Sequence, residues 1–267
     1  MTRTSFDLAH VVSEVRDRAP LVHCITAAVS MNLVADALLA TGARPMMTET
    51  AAEAPAMDAV ADALLVNLGS LSVDGAEGIV PTVAVARAAA RPWVLDPAAV
   101  GVAPVRTRLA ARVLPDRPAV VRGNASEVLA LAGAGTGGRG ADATDQTETA
   151  LDAALSLARE HGSVVAVSGA VDLITDGARV IRVRNGDPLL TKVTGTGCSL
   201  GALVAACASV CDPLAAAVAA TVWLGVAGER AAARARFPGS FRVAMLDELA
   251  ALSPTDVAMA ARLEETA

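Results

Sequence analysis

The run Leu190-Thr191-Lys192-Val193-Thr194-Gly195-Thr196-Gly197-Cys198-Ser199-Leu200 joins a glycine-punctuated turn to an apolar, alanine-rich segment. Two glycines allow a tight turn and close backbone approach to a ligand. The N–H groups around Gly197, Cys198 and Ser199 would then stand at the positive end of a helix dipole, where a phosphate binds well. Cys198 falls in that first turn, where the dipole is expected to lower a thiol pKa and let the side chain take a proton from a hydroxyl. The same residues would also serve as a plain helix start with a small buried cysteine. Four more polar residues end apolar runs: Asp96 in Val94-Leu95-Asp96-Pro97, Arg122 and Glu127 in Arg122-Gly123-Asn124-Ala125-Ser126-Glu127, and Ser168 in Val167-Ser168-Gly169. Two carboxylates, an arginine and an anion-binding turn are the inventory for holding Mg²⁺ and a nucleotide. Asp96 could equally cap the turn before Pro97, and Glu127 could be a first-turn acid.

These residues need a scaffold that brings them together, and the chain alternates short β-like runs with longer alanine-rich ones. Strands are expected at Leu21–Ile25, Pro45–Thr48, Ala63–Gly69, Trp93–Asp96, Ala119–Arg122, Val164–Val167, Asp172–Thr175 and Arg179–Val183. Helices are expected at Met31–Ala40, Ala56–Asp62, Val80–Ala90, Thr107–Leu114, Ser126–Ala132 and Thr147–Glu160, with helices filling the rest from Cys198 onward. Ala63–Gly69 is continuously apolar up to Asn67, as in a sheet covered on both faces. Asp176-Gly177 predicts a tight two-residue hairpin turn. Residues 133–144, rich in glycine, read as a mobile loop that either folds over a ligand or is a surface insertion. Repeated strand–helix alternation implies an α/β fold with a mainly parallel sheet, in which ligands bind beyond the carboxyl ends of the strands. That rule puts Asp96, Arg122 and Ser168 in one cleft with the glycine turn.

Composition narrows the ligand. The chain has 267 residues and a formal charge of −6, which suits one large α/β domain over 1–267 and argues against a nucleic-acid surface. With no Tyr, two Trp and three Phe it has no base-stacking platform. Cys24, Cys198, Cys207 and Cys211 lack a Cys-x-x-Cys pair and the histidines show no metal-ligand spacing, so a reducing cytoplasm is expected and zinc is not. Pro213–Gly228, the most apolar span, is mostly Ala and reads as a buried helix rather than a membrane span, and no signal peptide is expected.

Five segments, Leu21–Thr26, Asn67–Leu71, Val94–Pro97, Arg122–Glu127 and Leu190–Cys198, together resemble the hydroxyethylthiazole kinase family, in order and over nearly the whole chain to about Phe241. The resemblance implies a ribokinase-like fold, ATP-dependent phosphorylation of the primary alcohol of 4-methyl-5-(2-hydroxyethyl)thiazole in thiamine biosynthesis and salvage, and a homotrimer with active sites between subunits. By position it implies ATP contacts from Arg122 and Ser168, thiazole contacts from Met46 and Gly195, and Mg²⁺ organised by Asp96 and Glu127 directly or through water. Cys198 stands where more distant sugar kinases carry an aspartate base. Where the family usually has an Asn-Tyr pair after its first strand, this chain has Ala27-Ala28, leaving room for another small hydroxyalkyl heterocycle. An ADP- or ATP-dependent dehydratase also occurs on this fold and would be expected to carry Asp at the Cys198 position. A non-catalytic nucleotide-binding protein would bind ATP without turnover.

Overall fold

A computed structural model describes residues 6–135 and 147–266; most of the glycine-rich 133–144 segment lies outside them. The strands are β1 Leu21–Ile25, β2 Arg44–Met46, β3 Ala63–Asn67, β4 Trp93–Asp96, β5 Val120–Asn124, β6 Val164–Ser168, β7 Asp172–Thr175, β8 Val180–Val183 and β9 Leu263–Thr266. They form one sheet in the order β2-β1-β3-β4-β5-β6-β7-β8-β9. Pairing is parallel from β2 through β6 and antiparallel from β6 through β9.

Alternation along the strands splits the core into two halves. Cys24, Leu65, Val94, Val120 and Ala166 face one apolar cluster, while Ile25, Leu64, Val66, Leu95, Val121 and Val165 face the other. Helices α1 Leu8–Arg18 and α2 Met31–Thr41 cover the first face. The short α3 Ala54–Asp58, then α4 Val73–Ala88, α5 Pro104–Val113, α6 Ala125–Leu131 and α7 Leu151–His161 lie toward the second. The chain returns to the first face with α8 Thr196–Ala208, α9 Pro213–Arg234 and α10 Pro238–Ala251, and ends in α11 Pro254–Ala260 before β9. The central strands are therefore mostly apolar on both sides, with Asn67, Asp96, Asn124 and Ser168 at their ends and His23 and Arg122 as the polar exceptions inside β1 and β5.

Three local expectations change. Helix α4 begins at Val73, not Val80, because Ser72 caps it through Gly75 N–H at 2.8 Å and Pro81 is carried inside the helix. The β7–β8 turn has four residues, not two: Thr175 pairs with Val180, and the Asp176 carboxylate accepts the N–H groups of Ala178 and Arg179 at 3.0 and 2.8 Å. The region after Cys198 is not all helix, since Leu263–Thr266 adds a short, charged edge strand to β8, of the kind that blunts a sheet edge. Helix α9 is long and apolar enough by composition to cross a membrane, yet 89% of its apolar window is buried inside the protein, as expected of a core helix.

Candidate active site

The strand register assembles the site. Asn67 pairs with Asp96, Leu95 with Val121 and Asn124 with Ser168, so the polar ends of β3, β4, β5 and β6 stand side by side at the carboxyl edge. Asp96 is only 2% exposed. Its Oδ2 lies 3.4 Å from Arg122 Nη1, a loose contact, and Arg122 Nη2 donates to Ser168 Oγ at 2.9 Å. The structure brings Asp96, Arg122 and Ser168 together through these contacts.

Glu127 is more than a first-turn acid. Its Oε2 accepts the Asn124 N–H at 2.9 Å while Asn124 Oδ1 accepts the Glu127 N–H at 2.9 Å, a reciprocal capping box at the start of α6. Its Oε1 accepts the Ala99 N–H at 3.0 Å, tying the turn after β4 to the turn after β5. The carboxylate is thereby fixed near Asp96.

Electrostatics follow from this crowding. Burial pushes the Asp96 carboxyl up to about 6; Arg122 opposes the shift, Glu127 reinforces it and Asn67 opposes it. Burial works against the charge of Arg122, yet Asp96 and Glu127, with smaller help from Cys198 and Asp172, hold that guanidinium above its ordinary value. Burial also raises the Asp172 carboxyl, whose Oδ1 accepts the Gly169 N–H at 2.8 Å beside Ser168.

Helix α8 closes the cleft. Gly195 caps it with φ +97°, a left-handed value that suits glycine, and an added Cβ there would lie 2.7 Å from Ser30 Cβ. A Cβ on Gly197 would stand 2.8 Å from Arg122 Nη1, so the turn lies directly over the guanidinium. The Ser199 amide is not free, because it donates to Gly195 O at 2.8 Å; the backbone bonds outside the helix leave the Gly197 and Cys198 amides unengaged. The expected lowering of the Cys198 pKa is also corrected: burial raises it, with Asp96 adding to the rise, and Ser30, Arg122 and Asn67 only partly offset this. Desolvation of the thiol sets the direction of the shift here.

Met46 is placed differently from the others. It ends β2, the outer strand, with β1 and β3 between it and Asp96. Sequence reading passed over Thr26, Asn67 and Asp172. The rule that selected Asp96 would have found Asn67, since both end buried parallel strands; Asp172 starts its strand and gives no such signal. Thr26 Oγ1 just after β1, Asn67 Nδ2 at the end of β3 and Arg122 Nε within β5 are buried and, among the described residues, have no hydrogen-bond partner. Buried polar atoms are normally paired, so such a cluster marks where a ligand binds.

The profile of the hydroxyethylthiazole kinase family matches residues 12–255. The chain belongs to that family. A hydroxyethylthiazole kinase of Clavibacter sepedonicus is 53% identical over 98% of this chain and 96% of its own length. One from Shigella boydii is 46% identical over 92% of this chain and 95% of its own. The solved structure of a hydroxyethylthiazole kinase from Pyrococcus horikoshii OT3 superposes with a TM-score of 0.90 at 37% identity, covering 97% of this chain and 99% of that one. A Staphylococcus aureus pyridoxal kinase, solved with AMP-PCP and pyridoxal, matches with a TM-score of 0.61 at 17% identity over 79% of this chain and 88% of its own, a likeness of fold alone. The fold of this thiazole kinase family member is thus ribokinase-like.

Proposed function

We infer that this site transfers the γ-phosphoryl group of ATP to the primary alcohol of 4-methyl-5-(2-hydroxyethyl)thiazole. The observation that carries the inference is the cluster of buried, unpaired Thr26 Oγ1, Asn67 Nδ2 and Arg122 Nε under the open turn of α8, in a chain of this family. The nearest alternatives, a kinase for another hydroxyalkyl heterocycle and a dehydratase, gain no support from any relative, and Cys rather than Asp at position 198 weighs against the dehydratase.

In the reaction the alcohol oxygen forms a bond to the γ-phosphorus as the bond from that phosphorus to the β-phosphate oxygen breaks, and the electron pair leaves on ADP. Catalysis of such a transfer is mostly positioning and charge stabilisation. Arg122, steadied by Ser168, holds the nucleotide phosphates, and the Gly197 and Cys198 amides receive charge from the transferring group. The raised pKa keeps the Cys198 thiol protonated at neutral pH, so Cys198 places the alcohol and takes its proton only in the thiolate form. Its part is helpful rather than indispensable. Gly195 and Met46 contact the thiazole.

The residues fit Mg²⁺. Asp96 and Glu127 offer hard carboxylate oxygens side by side, and Asp96 is a buried acid whose charge a cation would stabilise. Among the described residues no three acidic, His or Cys side chains cluster around a metal, which suits an ion shared between carboxylates, water and substrate phosphates. When bound, the ion would neutralise charge on the phosphates. We further read 1–267 as one kinase domain acting as a homotrimer with active sites between subunits. The edge position of Met46 and the exposure of apolar Val29 (68%) and Val60 (67%) support this, and four unbonded cysteines suit a reducing cytoplasm.

A coupled ADP-release assay with and without the thiazole alcohol tests the function. ADP release that depends on the alcohol is expected; equal release in its absence would overturn the reading.

A further inference from the structure

Asn67 is held in a conformation that its own fold uses only by half. The side chain is 1% exposed, and its Oδ1 accepts the Gly69 N–H at 2.8 Å, which fixes which end of the amide is oxygen and which is nitrogen. The Nδ2 group, with two N–H donors, is therefore turned the other way, toward Asp96 and Cys198, and makes no hydrogen bond of good geometry to either. The hold is tight: a Cβ on Gly69 would come within 2.8 Å of Asn67 Oδ1 and 3.1 Å of Ala27 Cβ, so glycine is needed for the turn to close over the amide. A buried amide nitrogen kept unpaired costs stability, and a site that retains one keeps it for something that arrives.

The surroundings say what arrives. Asn67 pairs with Asp96 across β3 and β4, and it favours the ionised forms of both Asp96 and Cys198 without an aligned hydrogen bond to either. The nucleotide is read two strands away, by Arg122 and Ser168 on β5 and β6. The donor beside Cys198 therefore lies on the side of the site away from Arg122 and Ser168, with Ala27 and Ala98 packed around the Gly69 turn that holds it.

We propose that Asn67 is a further catalytic residue of this kinase, whose Nδ2 donates a hydrogen bond to the hydroxyl oxygen of the acceptor alcohol and aims its lone pair at the γ-phosphorus. Asn67 gains and loses no proton. The alcohol's proton passes to an oxygen of the transferring phosphoryl group, or to Cys198 in its thiolate form; the new bond is oxygen to phosphorus, and the bond broken is that to ADP, which leaves with the electron pair. This rests on the kinase reading of the same site.

Asn67→Ser keeps a hydroxyl able to accept the Gly69 N–H but removes the amide donor, and Asn67→Asp keeps the acceptor and puts a carboxylate where the donor was. Both should lower kcat for the thiazole alcohol by ~10²-fold, as loss of an in-line near-attack position does, with thermal midpoint and ADP affinity little changed. A kcat for Asn67→Ser within about two-fold of the parent would overturn the proposal. In parent protein labelled with ¹⁵N-asparagine, the Asn67 side-chain pair, identified by its absence in either variant, should move downfield on adding the thiazole alcohol and not on adding ADP alone. No movement with the alcohol, or movement with ADP alone, would also overturn it; this measurement decides should Asn67→Ser not fold, with Asn67→Asp supplying the assignment. A parent protein that turns over no thiazole alcohol fails the substrate reading before any variant is compared. Parent turnover with an indifferent Asn67→Ser fails only the role of Asn67.

Discussion

Two arginines on the same sheet are used in opposite ways. Arg182, on the antiparallel side in β8, is fully committed: its Nε and Nη2 bind the two Glu148 oxygens at 2.6 and 3.0 Å and its Nη1 donates to Thr266 Oγ1 at 3.0 Å. Arg122, on the parallel side in β5, reaches Asp96 only at 3.4 Å, donates once to Ser168 and leaves a buried Nε unpaired. The first arrangement closes an edge; the second keeps charge available in a place where water is scarce. Exposed pairs hold little energy, whereas a buried guanidinium nitrogen left unmatched is costly unless a ligand completes it. The contrast separates the scaffold from the site more sharply than position in the fold does.

Removing carboxylates from the uncommitted side should have the largest effect. Asp96→Ala combined with Glu127→Ala is expected to lower turnover by at least ~10³-fold while the protein still folds, checked by steady-state kinetics beside thermal melts; near-normal turnover would refute their assignment to Mg²⁺. Gly197→Val should come next. Its side chain would enter the space at 2.8 Å from Arg122 Nη1 and cover the free amides, so isothermal titration with a non-hydrolysable ATP analogue should show binding of the transferring phosphate lost. Cys198→Ala leaves those amides in place, and should keep nucleotide and alcohol binding while slowing single-turnover transfer by no more than ~10²–10⁴-fold. Cys198→Asp should remain active.

Acidity gives a smaller, graded test of the same group. Burial raises Asp96 to about 6, and the reaction uses its carboxylate, so kcat/KM should fall as pH drops through about 6 and level off above it. The sign is that of a group needed ionised. The charges facing it are Arg122 and Glu127, and bound Mg²⁺ would favour the ionised form, so the limb in kcat should lie at lower pH than in kcat/KM. A limb that moves upward in kcat would mean the metal is held elsewhere.

The contrast also explains what could be read from sequence. Apolar runs leading to Asp96, Arg122 and Ser168 disclosed both the parallel sheet and its active edge, because a strand buried on both faces places most of its polar residues toward its ends, although Arg122 proved to lie two residues before the end of β5. Asn67 was legible by the same rule, but its unpaired Nδ2 depends on which way the Gly69 turn points, a tertiary fact. The direction of the Cys198 shift was misjudged because a helix N-terminus is visible in sequence and desolvation by β1, β3 and β4 is not. On the committed side, β9 escaped notice since Leu263-Glu264-Glu265-Thr266 carries one apolar residue, and its pairing is fixed by Arg184–Glu264 at 2.9 Å and Arg182–Thr266, contacts between residues some eighty positions apart.

The smallest effects should fall on the two arginines themselves, and their difference is the decisive comparison. Arg122→Ala removes a charge-assisted contact to the nucleotide and should raise KM for ATP with a smaller effect on the alcohol, since the guanidinium lies on the Ser168 side of the cleft. Arg182→Ala removes more hydrogen bonds, three in place of two, yet Glu148 is 47% exposed and water replaces what is lost, so the cost should be about 1 kcal/mol or less by urea denaturation. Neither KM should change in Arg182→Ala. If the two variants were equal in KM for ATP, Arg122 would be a structural residue like Arg182, and an unpaired guanidinium nitrogen would no longer mark the phosphate side of this site.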